Sequence, residues 1–232
     1  MTQDTPIALV TGASRGLGYA TALALGTAGH HVIAVARTVG GLEELADGIA
    51  AAGGASTLVP LDITDDEGLA RMGAAINARW GRLDLLVHAA AHAPPCAPLA
   101  QTAEKDLDRS FAVNARATAR LILMLDPLLK AAPAGQAVIV TDDRADQPFF
   151  GAYAASKAAA RAFATAWRAE TRRTGPEVTL FTPAAMATAL HARFYPGQDA
   201  AGLATPLDQA QALLRHVPGH GRAGAVPSSP GT

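Results

Sequence analysis

Ile7-Ala-Leu-Val10, His31–Ala36, Ser56–Val59, Leu83–His88, Ala137–Val140 and Val178–Phe181 are short apolar runs, each separated from the next by a helix-forming stretch. A run that is apolar at nearly every position belongs to a strand covered on both faces. Alternation with helices then calls for a parallel sheet, because parallel neighbours need a crossover long enough to carry one. Right-handed crossovers wind such a sheet in both directions and leave a ligand crevice at the carboxyl ends of its strands. Helices are predicted over Tyr19–Ala28, Gly41–Ala52, a stretch ending at Trp80, Thr102–Lys130, Gly151–Arg173 and Thr205–Val217. No linker, repeat or charge block interrupts the alternation. The expectation is α/β: a doubly wound parallel sheet of six or seven strands with helices on both faces, as a single domain over residues 1–232. Pro218–Thr232 is rich in Gly, Pro and Ser and is expected to be a mobile tail.

Two stretches carry chemistry. The first strand runs directly into Thr11-Gly-Ala-Ser-Arg-Gly-Leu-Gly18 and then into a helix. Strand, glycine turn and helix together make a phosphate site, since backbone N–H groups and the helix N-terminus attract an anion. In such a turn Gly12 allows the tight bend, Gly16 lets the backbone approach a pyrophosphate, and Gly18 lets helix pack on strand. The second stretch is Tyr153-Ala-Ala-Ser-Lys157 in an Ala-rich helix. Residues four apart share a helix face, and an ammonium beside a phenol favours the phenolate. Only three of the nineteen basic residues are lysines, so Lys157 is a scarce residue well placed.

Composition removes several function classes. Half of the 232 residues are hydrophobic, enough for one sizeable core. A net charge of −1 argues against a nucleic-acid partner. Cys96 is alone, which excludes an internal disulfide and fits a reducing compartment. No run of apolar residues is long enough to cross a membrane, and Met1–Pro6 lacks the regions of a signal peptide. A cytoplasmic location is expected. His88 and His92, and His216 and His220, are spaced by four, but neither pair lies on one helical face, so no metal is expected.

These motifs resemble those of the short-chain dehydrogenase/reductase family over about residues 5–200. The glycine turn is similar to that family's cofactor turn, and Tyr153 with Lys157 to its catalytic pair. Asp62 resembles the acidic residue that contacts adenine. Asn114, in Phe111-Ala-Val-Asn114, resembles the Asn that kinks the fourth helix and holds a water. Pro183–Thr188 resembles the segment that touches the nicotinamide amide. The resemblance implies a Rossmann-type fold. It implies catalytic roles for Tyr153, Lys157 and Asn114. It also implies cofactor contacts from Gly12, Ser14, Arg15, Gly16, Leu17, Gly18, Arg37, Asp62, Ile63, Ala89, Ala90, Pro183, Met186 and Thr188, as well as from Tyr153 and Lys157.

Cofactor choice follows from charge. Where NAD users carry an acid at the end of the second strand, this chain has Ala36 followed by Arg37, and Arg15 sits in the glycine turn. Guanidiniums without a carboxylate suit a 2′-phosphate, so NADP(H) is the expected cofactor. The chain departs from the family at His88-Ala-Ala-Ala91, at Ala184, and at the active-site Ser, for which Val138-Ile-Val-Thr-Asp-Asp-Arg144 offers no serine. Thr141 is the hydroxyl available as carbonyl donor, with Asp142 and Asp143 the other occupants of that position. His88 is expected to be buried and hydrogen-bonded rather than catalytic. His92, Pro94, Pro95, Cys96, Phe149, Phe150, Phe194 and Tyr195 suggest an apolar or ring-containing substrate. Residues 191–204 suggest a flap.

The function expected is hydride transfer between NADP(H) and a small carbonyl or alcohol. The rival is an NADP(H)-binding regulator or scaffold with impaired turnover. A homodimer or higher oligomer is expected through the two long helices, whose Ala and Leu residues cover more faces than one core requires.

Overall fold

The protein is described by a computed structural model over residues 5–219. Residues 1–4 and the tail from 220, including His220, lie outside the described residues. The strands are β1 (Ile7–Thr11), β2 (His31–Ala36), β3 (Ala55–Pro60), β4 (Leu85–His88), β5 (Gln136–Val140) and β6 (Glu177–Phe181). They form one parallel sheet in the order β3-β2-β1-β4-β5-β6. The helices are α1 (Gly16–Thr27), α2 (Val39–Ala51), α3 (Asp66–Trp80), α4 (Glu104–Ser110), α5 (Ala117–Lys130), α6 (Gly151–Glu170), α7 (Ala189–Phe194) and α8 (Pro206–Leu214). The expected doubly wound sheet is present, with six strands among the described residues. Winding reverses between β1 and β4, so the loops leaving those two strands part there and open a crevice.

Alternation along each strand divides the core into two layers. Ala8, Val10, Val32, Ala34, Leu85 and Val87 face α1, α2 and α8, where Leu25, Leu45 and Leu213 meet them. Ile7, Leu9, Ile33, Leu86 and Ile139 face the other way, onto Met72, Leu121, Leu125 and Trp167 of α3, α5 and α6. The helix ends have local causes. Asp65 caps α3 by accepting from the Gly68 amide, and Gly81 ends it in a left-handed conformation. Thr205 and Asp208 form a reciprocal capping box at the start of α8, with Pro206 as its first residue.

The single helix predicted over Thr102–Lys130 is corrected. It is broken at Phe111–Arg116 by a wide π turn between α4 and α5. Asn114 sits in that turn, 2% exposed, and its carbonyl accepts from the Thr118 hydroxyl at 2.8 Å. An extra residue in the turn takes backbone groups out of the regular ladder, and a hydroxyl one turn on supplies a partner.

The seam between β1 and β4 is joined by side chains as well as backbone. Thr11 is in register with His88, and the His88 ring lies between the Thr11 hydroxyl at 2.7 Å and the Thr118 hydroxyl at 3.0 Å. Thr118 gives its proton to the Asn114 carbonyl, so His88 Nε2 is the donor to Thr118 and Nδ1 accepts from Thr11. The ring is therefore neutral. Burial, followed by the positive charge of Lys157, lowers its pKa to about 3.

The folded pKa lies below the unfolded value of about 6.5, so the unfolded chain takes up the extra proton. The contribution of His88 is complete above pH ~6.5 and is lost as the pH falls toward 3. The urea midpoint of the wild type should drop more steeply between about pH 7 and pH 4 than that of His88→Asn. Parallel pH profiles would refute a neutral, buried His88.

Candidate active site

The crevice at the β1–β4 seam is a cleft of about 420 Å³. Its first wall is the glycine turn. A side chain at Gly12, whose φ is +71°, would place its Cβ 2.9 Å from the Ala90 backbone. A Cβ at Gly18 would strike the Gly12 carbonyl. These glycines let β1, the loop after β4 and the start of α1 come together with their backbones bare, as a cradle for phosphates must. The far wall is the segment after β6. The Thr188 methyl lies 3.4 Å from the position a Gly16 Cβ would take, and the Thr188 hydroxyl caps α7 by accepting from the His191 amide.

All fourteen expected cofactor residues from the turn, β2, the loops after β3 and β4 and the segment after β6 line this cleft, together with Tyr153, Lys157 and Thr141. The residues present therefore fit a dinucleotide. Arg37 extends from the end of β2, 62% exposed, with its guanidinium 4.0 Å from Asp62. Asp62 is held by a group the sequence did not single out: Arg109 donates to it at 2.7 Å, and the Thr64 amide and hydroxyl donate to it as well. Burial alone would raise this acid, but those donors outweigh it and hold its pKa at about 2. Arg109 also lines the cleft. No sequence signal marked it, because forty-seven residues separate it from its partner.

Tyr153, Ser156 and Lys157 are buried on one face of α6. Lys157 donates to the Val140 carbonyl at 2.7 Å. Burial lowers its pKa to about 8, against an opposing pull from Asp142. The phenol departs from expectation. Tyr153 donates to Asp142 Oδ2 at 3.1 Å, and burial, then the Asp142 charge and hydrogen bond, push its pKa well above the ordinary phenol value. The pull toward the phenolate that does act comes from Arg144 rather than the expected Lys157, and desolvation and the Asp142 charge outweigh it.

Asp142 is the residue that reaches Tyr153 at the end of β5, and the expectation for Thr141 is corrected. The Thr141 hydroxyl turns inward, 2.8 Å from the Thr182 hydroxyl and 3.3 Å from the Phe181 carbonyl, and the residue is 3% exposed. The strand's alternation decides this: Thr141 continues the inward phase at β6, and the next residue points to the cleft. Asp143 points elsewhere, facing Arg161 at 3.4 Å.

Arg144 completes the group. Its Nε donates to both Asp142 oxygens, at 3.1 and 3.3 Å, and its Nη1 donates to Gln147 and to the Tyr195 hydroxyl, each at 3.0 Å. Phe150, Phe194 and Tyr195 pack behind, with the Tyr153 and Phe194 ring centroids 4.8 Å apart. Phe149, Pro95 and Cys96, also expected near the substrate, are exposed and do not line the cleft.

Asn114 stands behind the cleft rather than in its wall. Its side chain donates to the His92 carbonyl at 3.0 Å and to the Ser156 hydroxyl at 2.9 Å, and accepts from the His92 amide at 2.7 Å. It ties the loop after β4 to α6, one residue from Lys157. His92 itself lines the cleft. Burial, then Arg193 and Arg109, lower its pKa, which favours the neutral ring.

The comparisons agree with this geometry. Residues 6–199 match the family described as short chain dehydrogenase. A fatty acyl-CoA reductase of Acinetobacter baylyi is 33% identical over 168 residues, 71% of this chain and 57% of that protein. An uncharacterised oxidoreductase of Mycobacterium tuberculosis is 34% identical over 159 residues, 67% of this chain and 60% of that protein. The chain thus matches less than two thirds of the length of these relatives. A Shigella flexneri short chain dehydrogenase solved with NADP superposes with a TM-score of 0.80 at 28% identity, covering 88% of this chain and 87% of that one. No helix among the described residues is long and apolar enough to cross a membrane. With the glycine cradle, the Tyr153–Lys157 pair and the doubly wound sheet in one crevice, the chain belongs to the short-chain dehydrogenase family of oxidoreductases.

Proposed function

We propose that the protein is an NADP(H)-preferring oxidoreductase that transfers a hydride to or from a polarised carbon–heteroatom bond in a small apolar or ring-containing molecule. The observation that carries the cofactor preference is the end of β2, where Ala36 leaves no carboxylate and the loosely held Arg37 guanidinium lines the cleft. A 2′-hydroxyl would call for an acceptor at this point, whereas a 2′-phosphate is met by guanidinium donors. When bound, the dinucleotide supplies or accepts the hydride. The glycine turn and the N-terminus of α1 would hold its pyrophosphate, with the Pro183–Thr188 segment as the opposite wall of the cleft. Lys157, a buried cation in the cleft wall, would hold its ribose, and Asn114 acts as a positioning residue by fixing the loop after β4 against α6. Residues 191–204 form the flap in this reading, with Tyr195 tied to Arg144.

One observation favours a second reading, an NADP(H)-binding protein with impaired turnover: the Tyr153 proton is committed to Asp142 rather than free for a substrate. A screen of NADPH oxidation against aldehydes, ketones and imines separates the two. Turnover of any class, lost in Lys157→Met, supports the oxidoreductase. NADPH binding without turnover of any class supports the binding protein.

Calorimetry with the protein alone should show NADPH bound more tightly than NADH by roughly 10- to 100-fold, the scale of hydrogen bonds to a charged group. Arg37→Asp should abolish that preference. Equal affinities in the wild type would overturn the cofactor reading.

We also propose self-association through the helices of the α4–α6 side. Leu107, Phe111, Leu123 and Phe163 are exposed there, Leu123 by 71%. Light scattering at micromolar concentration should give at least a dimer, and a monomer would refute it.

A further inference from the structure

One donor at the end of β5 is left without an acceptor. The Arg144 guanidinium presents its N–H groups as a fixed planar fork. Nε donates to both Asp142 oxygens, at 3.1 and 3.3 Å, and Nη1 donates to Gln147 and to the Tyr195 hydroxyl, each at 3.0 Å. Nη2 makes no hydrogen bond among the described residues. The plane of the group fixes where Nη2 points. One of its hydrogens runs parallel to the Nε hydrogen, as in a bidentate fork, so it emerges beside the Asp142 carboxylate. The Tyr153 hydroxyl reaches the same carboxylate at Oδ2, 3.1 Å away. Phenol and guanidinium therefore meet on one oxygen, and both residues line the cleft.

The neighbouring donors are engaged elsewhere. Thr141 turns its hydroxyl to Thr182 and Phe181. Lys157 is 6% exposed and donates to the Val140 carbonyl at 2.7 Å. Arg144 keeps 20% of its side chain exposed, and its charge is the one that draws the Tyr153 phenol toward ionisation. Even so, the phenol stays well above its ordinary pKa. Tyr153 therefore yields its proton late, once the accepting oxygen has become strongly basic. Until then, negative charge on that oxygen needs a different donor.

We propose that Arg144 is a catalytic residue whose Nη2 donates to a substrate carbonyl oxygen and stabilises the negative charge that develops there. The proposal rests on the oxidoreductase reading above and places its substrate in the carbonyl class. In the step, the carbonyl carbon gains a C–H bond from the hydride of a reduced nicotinamide dinucleotide, which is oxidised by two electrons. The C=O π pair moves to oxygen, where Nη2 meets it. The Tyr153 hydroxyl turns from Asp142 to that oxygen and passes its proton, giving the alcohol, and the phenolate takes a proton from solvent. Arg144 donates without losing a proton, since a guanidinium is not deprotonated in proteins.

The test uses 4-nitrophenolate, a ring-bearing oxyanion, at a pH where it is ionised, with 4-nitroanisole as its uncharged counterpart. Calorimetry on the protein saturated with NADP⁺ should show the phenolate bound more tightly than the anisole. Arg144→Gln should weaken phenolate binding roughly 10- to 100-fold and leave anisole binding unchanged. For an aldehyde or ketone reduced by the wild type with NADPH, Arg144→Gln should lower kcat on the order of 10²–10³-fold and leave NADPH affinity unchanged. Gln147→Ala, which removes a partner of Nη1 and spares Nη2, should leave both readouts at the wild-type level. Melting curves of both variants confirm that they fold. Equal affinity of the wild type for phenolate and anisole overturns the proposal. So does unaltered phenolate binding or undiminished kcat in a folded Arg144→Gln, or an equal loss in Gln147→Ala, which would make Arg144 only a structural tie. Reduction of imines alone overturns it while leaving the oxidoreductase reading intact. NADPH binding with no aldehyde, ketone or imine reduced overturns both.

Discussion

The structure depends on how closely β1 and β4 approach at the point where the sheet reverses its winding. Gly12 lies against the Ala90 backbone with no room for a side chain, and the loops leaving the two strands diverge from that contact to make the cleft. Hydrogen bonds on the same seam carry the constraint inward. Thr11 donates to His88, His88 to Thr118, and Thr118 to the carbonyl of Asn114 in the π turn. Asn114 then holds the His92 backbone and Ser156, the neighbour of Lys157. A directional chain of neutral groups thus links the end of β1 beside the glycine turn to the helix that bears Tyr153 and Lys157. Each proton in it has one direction to go, which is why a charged His88 would break it.

The electrostatics of the site arise from burial acting on groups of opposite sign. Burial lowers Lys157 toward neutrality and raises Tyr153. Asp142, reinforcing the second shift and opposing the first, is balanced by Arg144, which also reaches Tyr195 beyond α7. Asp142 therefore belongs to the same network that ties the end of β5 to the segment after β6. A change at Asp142 alters both the hydrogen-bond character of the reactive position and the anchoring of that segment.

Much of the architecture was legible in the sequence because it rests on short-range periodicity. Runs apolar at nearly every position suit strands buried on both faces, as β1, β2 and β4 are, and alternation with helices leaves few ways to connect them. The glycine turn was legible for a similar reason, since its spacing encodes backbone clearance directly. Gly12 and Gly18 meet other backbone atoms where a Cβ would be, and no larger residue could occupy those positions. The expected cofactor residues converge on one cleft because the segments that carry most of them follow the carboxyl ends of the strands.

The local composition of the chain alone determined the sheet, the cradle and the shared face of Tyr153 and Lys157. Tertiary structure decided which of Thr141, Asp142 and Asp143 meets the phenol, because the phase in which β5 leaves the sheet depends on its pairing with β6, far away in the chain. It also decided the partnership of Arg109 with Asp62, which has no short-range signature, and the wide form of the turn at Asn114, where the Phe111–Asn114 motif signalled only a kink. The pKa of Tyr153 belongs to the same class. Sequence spacing places a cation near the phenol, but only folding sets how deeply the hydroxyl is buried and which charge it finally touches.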